Sequence, residues 1–190
     1  DGADHGRALY VAGFRIVEGP LNSPQPFDSI AAIRQALPAD AIVGAGTVLH
    51  PDFVNDVKAA GGELIVMPHS DAEVVLAAKA LGLACAPGVA TPNEAFLALK
   101  NGADVRKKLP AEKLGADVVN AWVAVIAKEV PLVPVGGVTP ENMSALVAAG
   151  ANGFGLGSAL YRPGQDAALT AEHARAFVAA WRKIEQARQS

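Results

Sequence analysis

The stretch VKAAGGELIVMPHSDAE (57–73) decides how this chain is read. Its alanine-rich opening stops at Gly61, and glycine closes a helix readily because the left-handed conformation costs it no Cβ clash. An apolar run, ELIVMP (63–68), comes next, and SDAE (70–73) then supplies the polar cap and early acids of a new helix. Helix, glycine, buried strand and helix again is the pattern of a βα unit.

The same break recurs in both directions: YVAGF at Gly13, KALGL at Gly82, LKNGA at Gly102 and VAAGA at Gly150. The intervals from Gly13 through Gly61, Gly82, Gly102 and Gly150 are 48, 21, 20 and 48 residues. LPADAIVG (37–44) and KEVPLVPVGG (128–137) supply one further helix-to-strand break inside each long interval, which makes the period 20 to 24 residues throughout. Each break precedes a short apolar run: FRIVE, AIVGAG, ELIVMP, LACAPG, ADVRKKLP, PLVPVGG and GFGLGS. Helix starts follow at HPDF (50–53), SDAE, TPNE (91–94) and TPEN (139–142), the last two opening on Thr-Pro. Alternation at this period predicts a parallel sheet with helices packed on it. Seven strands and an opening helix, DHGRALYVAG, point to a (β/α)8 TIM barrel of the α/β class whose first strand lies upstream of this chain. Residues 1–190 read as a single domain, with no linker or low-complexity tract.

Composition narrows the function. The 190 residues are 51% hydrophobic and 18% charged with a formal net charge of −3, which argues against disorder and against a polyanion as partner. One cysteine, Cys85, allows no internal disulfide, and no signal-peptide pattern or membrane span is visible, so a cytoplasmic setting is expected. The four histidines, at 5, 50, 69 and 173, show no ligand spacing, and no metal is expected.

In such a barrel the chemistry gathers at the C-terminal strand ends, about five residues beyond each helix-ending glycine. Glu18 and Lys107 both stand there. RKK (106–108) reads either as a solvated charge run or as the source of an amine nucleophile, and Glu18 beside Gly19-Pro20 reads as an acid/base or as a loop carboxylate. Strand parity puts Val105, Lys107 and Leu109 on one face and Arg106 and Lys108 on the other. Gly136-Gly137 and Gly155, Gly157 and Ser158 end the last two strands, where free backbone amides and a following helix start suit a phosphate, although tight turns alone would also use glycine. Thr47 offers a hydroxyl at its strand end or an N-cap, and Pro87-Gly88 shapes the rim. Trp122, Phe177 and Trp181 read as helix-borne core or interface.

EGPLNSP, GAGTVL, LIVMPH, APGVATPNEAF, K-L-PAE, PVGGVTPENM and GFGLGSALYRPG, in this order along nearly the whole chain, resemble the 2-dehydro-3-deoxy-6-phosphogalactonate aldolases, pyruvate-forming class I aldolases. The resemblance implies a Schiff-base Lys107, a general acid/base Glu18, and Thr47 near the keto acid. It places Gly136, Gly137, Gly157 and Ser158 around the phosphate, and Pro87, from its rim position, is counted with these substrate-binding residues. Leu21-Asn22-Ser23-Pro24 and Val135 look like the galactonate type, where the gluconate type has a Thr-Leu-Arg-Thr stretch and a threonine before the Gly-Gly pair. The implied reaction yields pyruvate and D-glyceraldehyde 3-phosphate, needs no cofactor, and occurs in a homotrimer. The family's usual first-strand arginine is missing. Arg106 and Lys108 replace apolar residues around the lysine, which makes Lys108 the runner-up nucleophile, and Gly19 replaces a branched residue. A gluconate-type aldolase, another phosphate-binding barrel enzyme such as an epimerase or decarboxylase, and a sugar-phosphate-binding barrel without catalysis are the alternatives.

Overall fold

The computed structural model describes residues 2–111, 119–124, 126 and 129–189; Glu112 of the K-L-PAE motif and Lys128 of KEVPLVPVGG lie outside them. The chain alternates as the glycine rhythm predicts. It runs α1 (Gly2–Ala12), β1 (Ile16–Pro20), α2 (Pro26–Ala36), β2 (Ile42–Gly46), α3 (Asp52–Ala59), β3 (Leu64–Val66), α4 (Ala72–Ala80) and β4 (Ala84–Ala86). The second part has β5 (Gly88–Val89), α5 (Pro92–Lys100), β6 (Arg106–Lys108), β7 (Leu132–Pro134), α6 (Met143–Ala148) and α7 (Ala167–Gln189), with residues 119–124 also helical. All five helix-ending glycines adopt positive φ, between 70° and 125°.

Every strand pair is parallel, in the orders β1-β2-β3-β4 and β5-β6-β7. β4 and β5 are two lengths of one extended segment with a partner on each side. Toward β3, the Ala86 carbonyl accepts from Met67 N–H at 3.2 Å and Gly88 N–H donates to the His69 carbonyl at 3.1 Å. On the other side the Pro87 carbonyl accepts from Lys107 N–H at 3.1 Å, and the Cys85 carbonyl accepts from Asp104 N–H at 3.0 Å, which carries the sheet across to β6.

Two local expectations need correction. GFGLGS forms no strand: it is reduced to a bridge between Gly155 and Val135, because alternating glycines bring little strand propensity. A Cβ on Gly155 would also meet Val135 Cγ2 at 2.5 Å. TPEN does not open a helix; Asn142 and Met143 donate backward to the Thr139 carbonyl in a turn, and α6 starts only at Met143. HPDF opens α3 through Pro51, with no side-chain cap. SDAE caps as expected, but through Asp71, whose carboxylate accepts from Glu73 and Val74 N–H. TPNE forms a full capping box between Thr91 and Glu94.

Two apolar clusters fill the space between sheet and helices. One centres on Ile30, Val43, Val54, Ile65 and Val74, and the other on Val89, Trp122, Leu132, Leu146 and Phe177. Trp181 lies partly buried at the margin of the second, edge-on to Phe154 with ring centroids 5.9 Å apart. Each fully buried aliphatic side chain contributes about 1.5–3 kcal/mol toward ordering the chain. Cys85 belongs to the first cluster, and burial pushes its thiol up to about 12, so it is not a nucleophile at neutral pH. Among the described residues no pairing joins β1 to residues 153–158, and no helix is long and apolar enough to cross a membrane.

Candidate active site

The strand ends bring Glu18 and Lys107 to the same mouth. In β1, Val17 and Gly19 pack under the helices, while Glu18 points to the opposite face. On β2, where Gly44 is the register partner of Glu18, the side chain leans over Gly46, and a Cβ there would overlap the Glu18 carboxylate. Gly46 thus makes the bed on which the acid lies. Two residues earlier, Gly44 lets the β3 backbone approach, since a Cβ there would strike the Leu64 carbonyl. The glycines of GAG have different tasks, and the sequence motif disclosed neither.

β6 has the parity expected of it. Arg106 and Lys108 turn under the helices, where they are 2% and 0% exposed, and Lys107 turns to the mouth. The Arg106 guanidinium donates to the Val130 carbonyl through both Nε and an Nη nitrogen, and Lys108 Nζ lies 5.6 Å from the centroid of the Trp122 ring. Lys108, placed there, is turned away from the mouth. Lys107 is held at its backbone by Pro87 and pairs with Gly88 and Val133.

Desolvation by the surrounding protein pushes the Glu18 carboxyl up and the Lys107 ammonium down. The charge of each on the other opposes these shifts and is the smaller influence. Glu18 keeps accessible surface because the mouth is open, and its desolvation comes from the protein gathered around the strand ends. The pair therefore combines an amine that releases its proton early with a carboxyl that keeps its proton late, the properties wanted in a nucleophile and a general acid/base.

Thr47 follows Gly46 with φ 55°, a left-handed conformation rare for a β-branched residue, and is half-buried at the rim. Pro87 is buried beneath Lys107 and shapes the strand without lending a polar side chain. Val135, half-buried, donates to the Lys108 carbonyl at 2.9 Å and so follows directly from the lysine strand. After it, Gly136 and Gly137 adopt φ 94° and 68°. The Gly155 bridge brings the turn at Gly157 and Ser158 beside them. A Cβ on Gly157 would meet nothing within 4 Å, so packing does not require glycine at that position. Among the described residues the amides of Gly137, Val138, Ser158 and Ala159 have no acceptor. The helix starts expected behind these glycines are not adjacent to them, so an anion here would be met by loop amides rather than by a helix end.

The described residues contain no group of three or more His, Cys, Asp or Glu side chains placed to hold a metal ion. Of two open clefts, one is lined by Val138 and Ala159 of the glycine cradle together with His173 and Phe177, and the other lies between Pro140 and Lys183.

The chain is 45% identical to the 2-dehydro-3-deoxy-6-phosphogalactonate aldolase of Escherichia coli over 96% of its own length and 89% of that protein. It is 40% identical to a probable enzyme of the same name from Rhizobium meliloti, over 92% of this chain and 82% of that one. A structure described as native KDPGal superposes with a TM-score of 0.95 at 44% identity, covering 97% of this chain and 90% of the other. With the family model for KDPG and KHG aldolases matched along residues 2–171, the chain belongs to that aldolase family.

Proposed function

We propose that the protein cleaves 2-dehydro-3-deoxy-6-phosphogalactonate to pyruvate and D-glyceraldehyde 3-phosphate through an imine on Lys107. The observation that carries this reading is the opposition of Lys107 and Glu18 across one mouth, each shifted toward its neutral form. Unprotonated Lys107 adds to the C2 ketone, and loss of water leaves an iminium. Glu18, directly or through a water, takes the C4 hydroxyl proton while the C3–C4 electron pair flows into the iminium. Glyceraldehyde 3-phosphate departs, the enamine is protonated at C3, and hydrolysis releases pyruvate and restores the amine. The lysine itself supplies the electron sink, so the mechanism calls on no cofactor or metal.

Thr47 serves the keto-acid end, Pro87 fixes the lysine strand, and Gly136, Gly137, Gly157 and Ser158 form the cradle that receives the phosphate. Val135 borders the substrate carbons and discriminates the galactonate from the gluconate epimer. The galactonate reading is favoured because the relatives at 45% and 40% identity bear that name, whereas relatives named for phosphogluconate include one at 36%.

The same reading makes residues 1–190 one domain, a (β/α)8 barrel whose remaining strand lies outside these residues. The parallel order and the passage of β4 into β5 support it. A cytoplasmic homotrimer completes the proposal. One solved neighbour, 43% identical with a TM-score of 0.96 over 99% of this chain and 70% of that one, is a cage designed by fusing symmetric oligomeric domains.

Borohydride reduction in the presence of pyruvate, read by peptide mass spectrometry, tests the chemistry. The expected result is a reduced pyruvyl adduct on Lys107. An adduct on Lys108, or none in folded protein that binds pyruvate, would overturn it.

A further inference from the structure

Each loop of the glycine cradle is fastened from behind by a carboxamide side chain. In the first, Asn142 Nδ2 donates to the Gly137 carbonyl at 2.8 Å, and Asn142 Oδ1 accepts from Thr139 N–H at 2.9 Å. In the second, Gln165 Nε2 donates to the Leu160 carbonyl at 2.7 Å. The Leu160 and Tyr161 amides in turn donate to the Gly157 carbonyl at 2.8 and 3.1 Å.

Planarity of the peptide unit turns these bonds into aim, because a trans peptide points its N–H opposite to its carbonyl. Asn142 holds the Gly137 carbonyl, and the Val138 N–H of that peptide therefore faces away from Asn142. Gln165 holds the peptide between Leu160 and Tyr161, whose amide holds the Gly157 carbonyl, and the Ser158 N–H then points out of the turn. Neither Val138 nor Ser158 N–H has an acceptor among the described residues.

Gln165 is itself anchored. The same Nε2 reaches Thr170 Oγ1 at 2.9 Å, and Thr170, fully buried at the start of α7, donates to the Asp166 carbonyl at 3.1 Å. His5 Nδ1 of α1 meets the same hydroxyl at 3.0 Å, and its ring stands edge-on to Tyr161 with centroids 4.7 Å apart. His173 Nδ1 lies 3.3 Å from the Leu160 carbonyl. The outer loop is thus referenced to two helices rather than left to its glycines.

We propose that Asn142 and Gln165 are positioning residues for phosphate recognition, orienting the Val138 and Ser158 amides before substrate arrives. The inference rests on the aldolase reading above. Donors held in place beforehand need no reorganisation when the anion binds, so losing either clamp weakens contacts to the phosphate and leaves the imine chemistry alone.

The test compares wild type with Asn142→Ala and Gln165→Ala by three measurements on the full chain. They are KM for 2-dehydro-3-deoxy-6-phosphogalactonate, the competitive inhibition constant of inorganic phosphate, and exchange of pyruvate methyl protons with deuterated solvent. Each variant is expected to raise KM and the phosphate constant about tenfold while pyruvate exchange stays within about twofold of wild type. Gln165→Met, which keeps the length and removes the donors, replaces the alanine variant if that one does not fold. Unchanged KM and phosphate constant in folded variants would overturn the inference, as would exchange falling in step with them, the mark of a merely structural role. A folded wild type that exchanges no pyruvate protons would overturn the aldolase reading and this inference with it. A wild type that exchanges and cleaves normally beside unaffected variants would overturn the inference only.

Discussion

The two faces of β6 carry the same kind of residue to opposite ends. Lys107 and Lys108 are adjacent, and both ammonium groups are pushed down by desolvation. Lys107 turns toward the mouth, where the Glu18 carboxylate partly restores its charge. Lys108 turns beneath the helices against Trp122, and burial brings it to about 8. A lowered lysine pKa therefore does not identify a nucleophile. The direction of the side chain, and the acid that faces it, do.

The hardest way to break this comparison is to remove the inward lysine. Lys107→Ala is expected to lower cleavage by about 10⁴-fold and to abolish borohydride trapping with pyruvate, while Lys108→Met traps normally. The acid comes next. Glu18→Gln is expected to lower cleavage by about 10²–10³-fold. It also removes the carboxylate that holds the Lys107 ammonium up, so pyruvate trapping in the variant should persist to lower pH than in wild type. Trapping yields measured across pH would contradict the pairing if the two curves coincide.

Much of this is legible in the sequence because local demands are written in residue type. A helix that must stop in a left-handed residue takes glycine, and all five such positions are marked by residue type alone. Strand parity likewise separates Lys107 from its neighbours. The sequence does not show choices made by partners distant in the chain. Nothing in AIVGAG marks Gly46, yet the Glu18 carboxylate lies over it. Pro87 looks like rim shaping, yet its carbonyl holds the backbone N–H of Lys107. GFGLGS promises a strand on its position in the rhythm, but propensity prevails and only one bridge remains. Asn142 sits inside the TPEN motif without its clamp being legible there, and Gln165 carries no local mark, since a carboxamide that fastens a loop looks like any other polar surface residue.

Gly46→Ala sharpens the comparison by disturbing the acid without touching either charged group. The added methyl occupies the space of the Glu18 carboxylate, which must shift away from the mouth. A displacement on the order of 1 Å in a reacting group lowers cleavage by about 10- to 100-fold, and the overpacking costs about 1–3 kcal/mol of stability. Steady-state rates with a thermal melt test both parts. A variant as active as wild type would mean that the carboxylate does not need its place over β2.

The outward lysine gives the smallest effect and the opposite sign. Lys108 ionises at about 8 in the fold, against 10.5 as its ordinary value. Between those values the unfolded chain still holds the proton that the folded chain has released, so stability rises as pH climbs through that window and is lower beneath it. Lys108→Met keeps the stem that packs on Trp122 and removes the charge. It is expected to stabilise the protein by about 1–3 kcal/mol at pH 7, with the advantage fading as pH rises toward 10.5. Cleavage should remain at the wild-type rate, because this side chain does not reach the mouth. Urea unfolding at several pH values measures the effect directly. A constant difference between the two proteins from pH 7 to 10 would show that Lys108 does not titrate in this window, and that its burial is compensated by interactions that hold its charge.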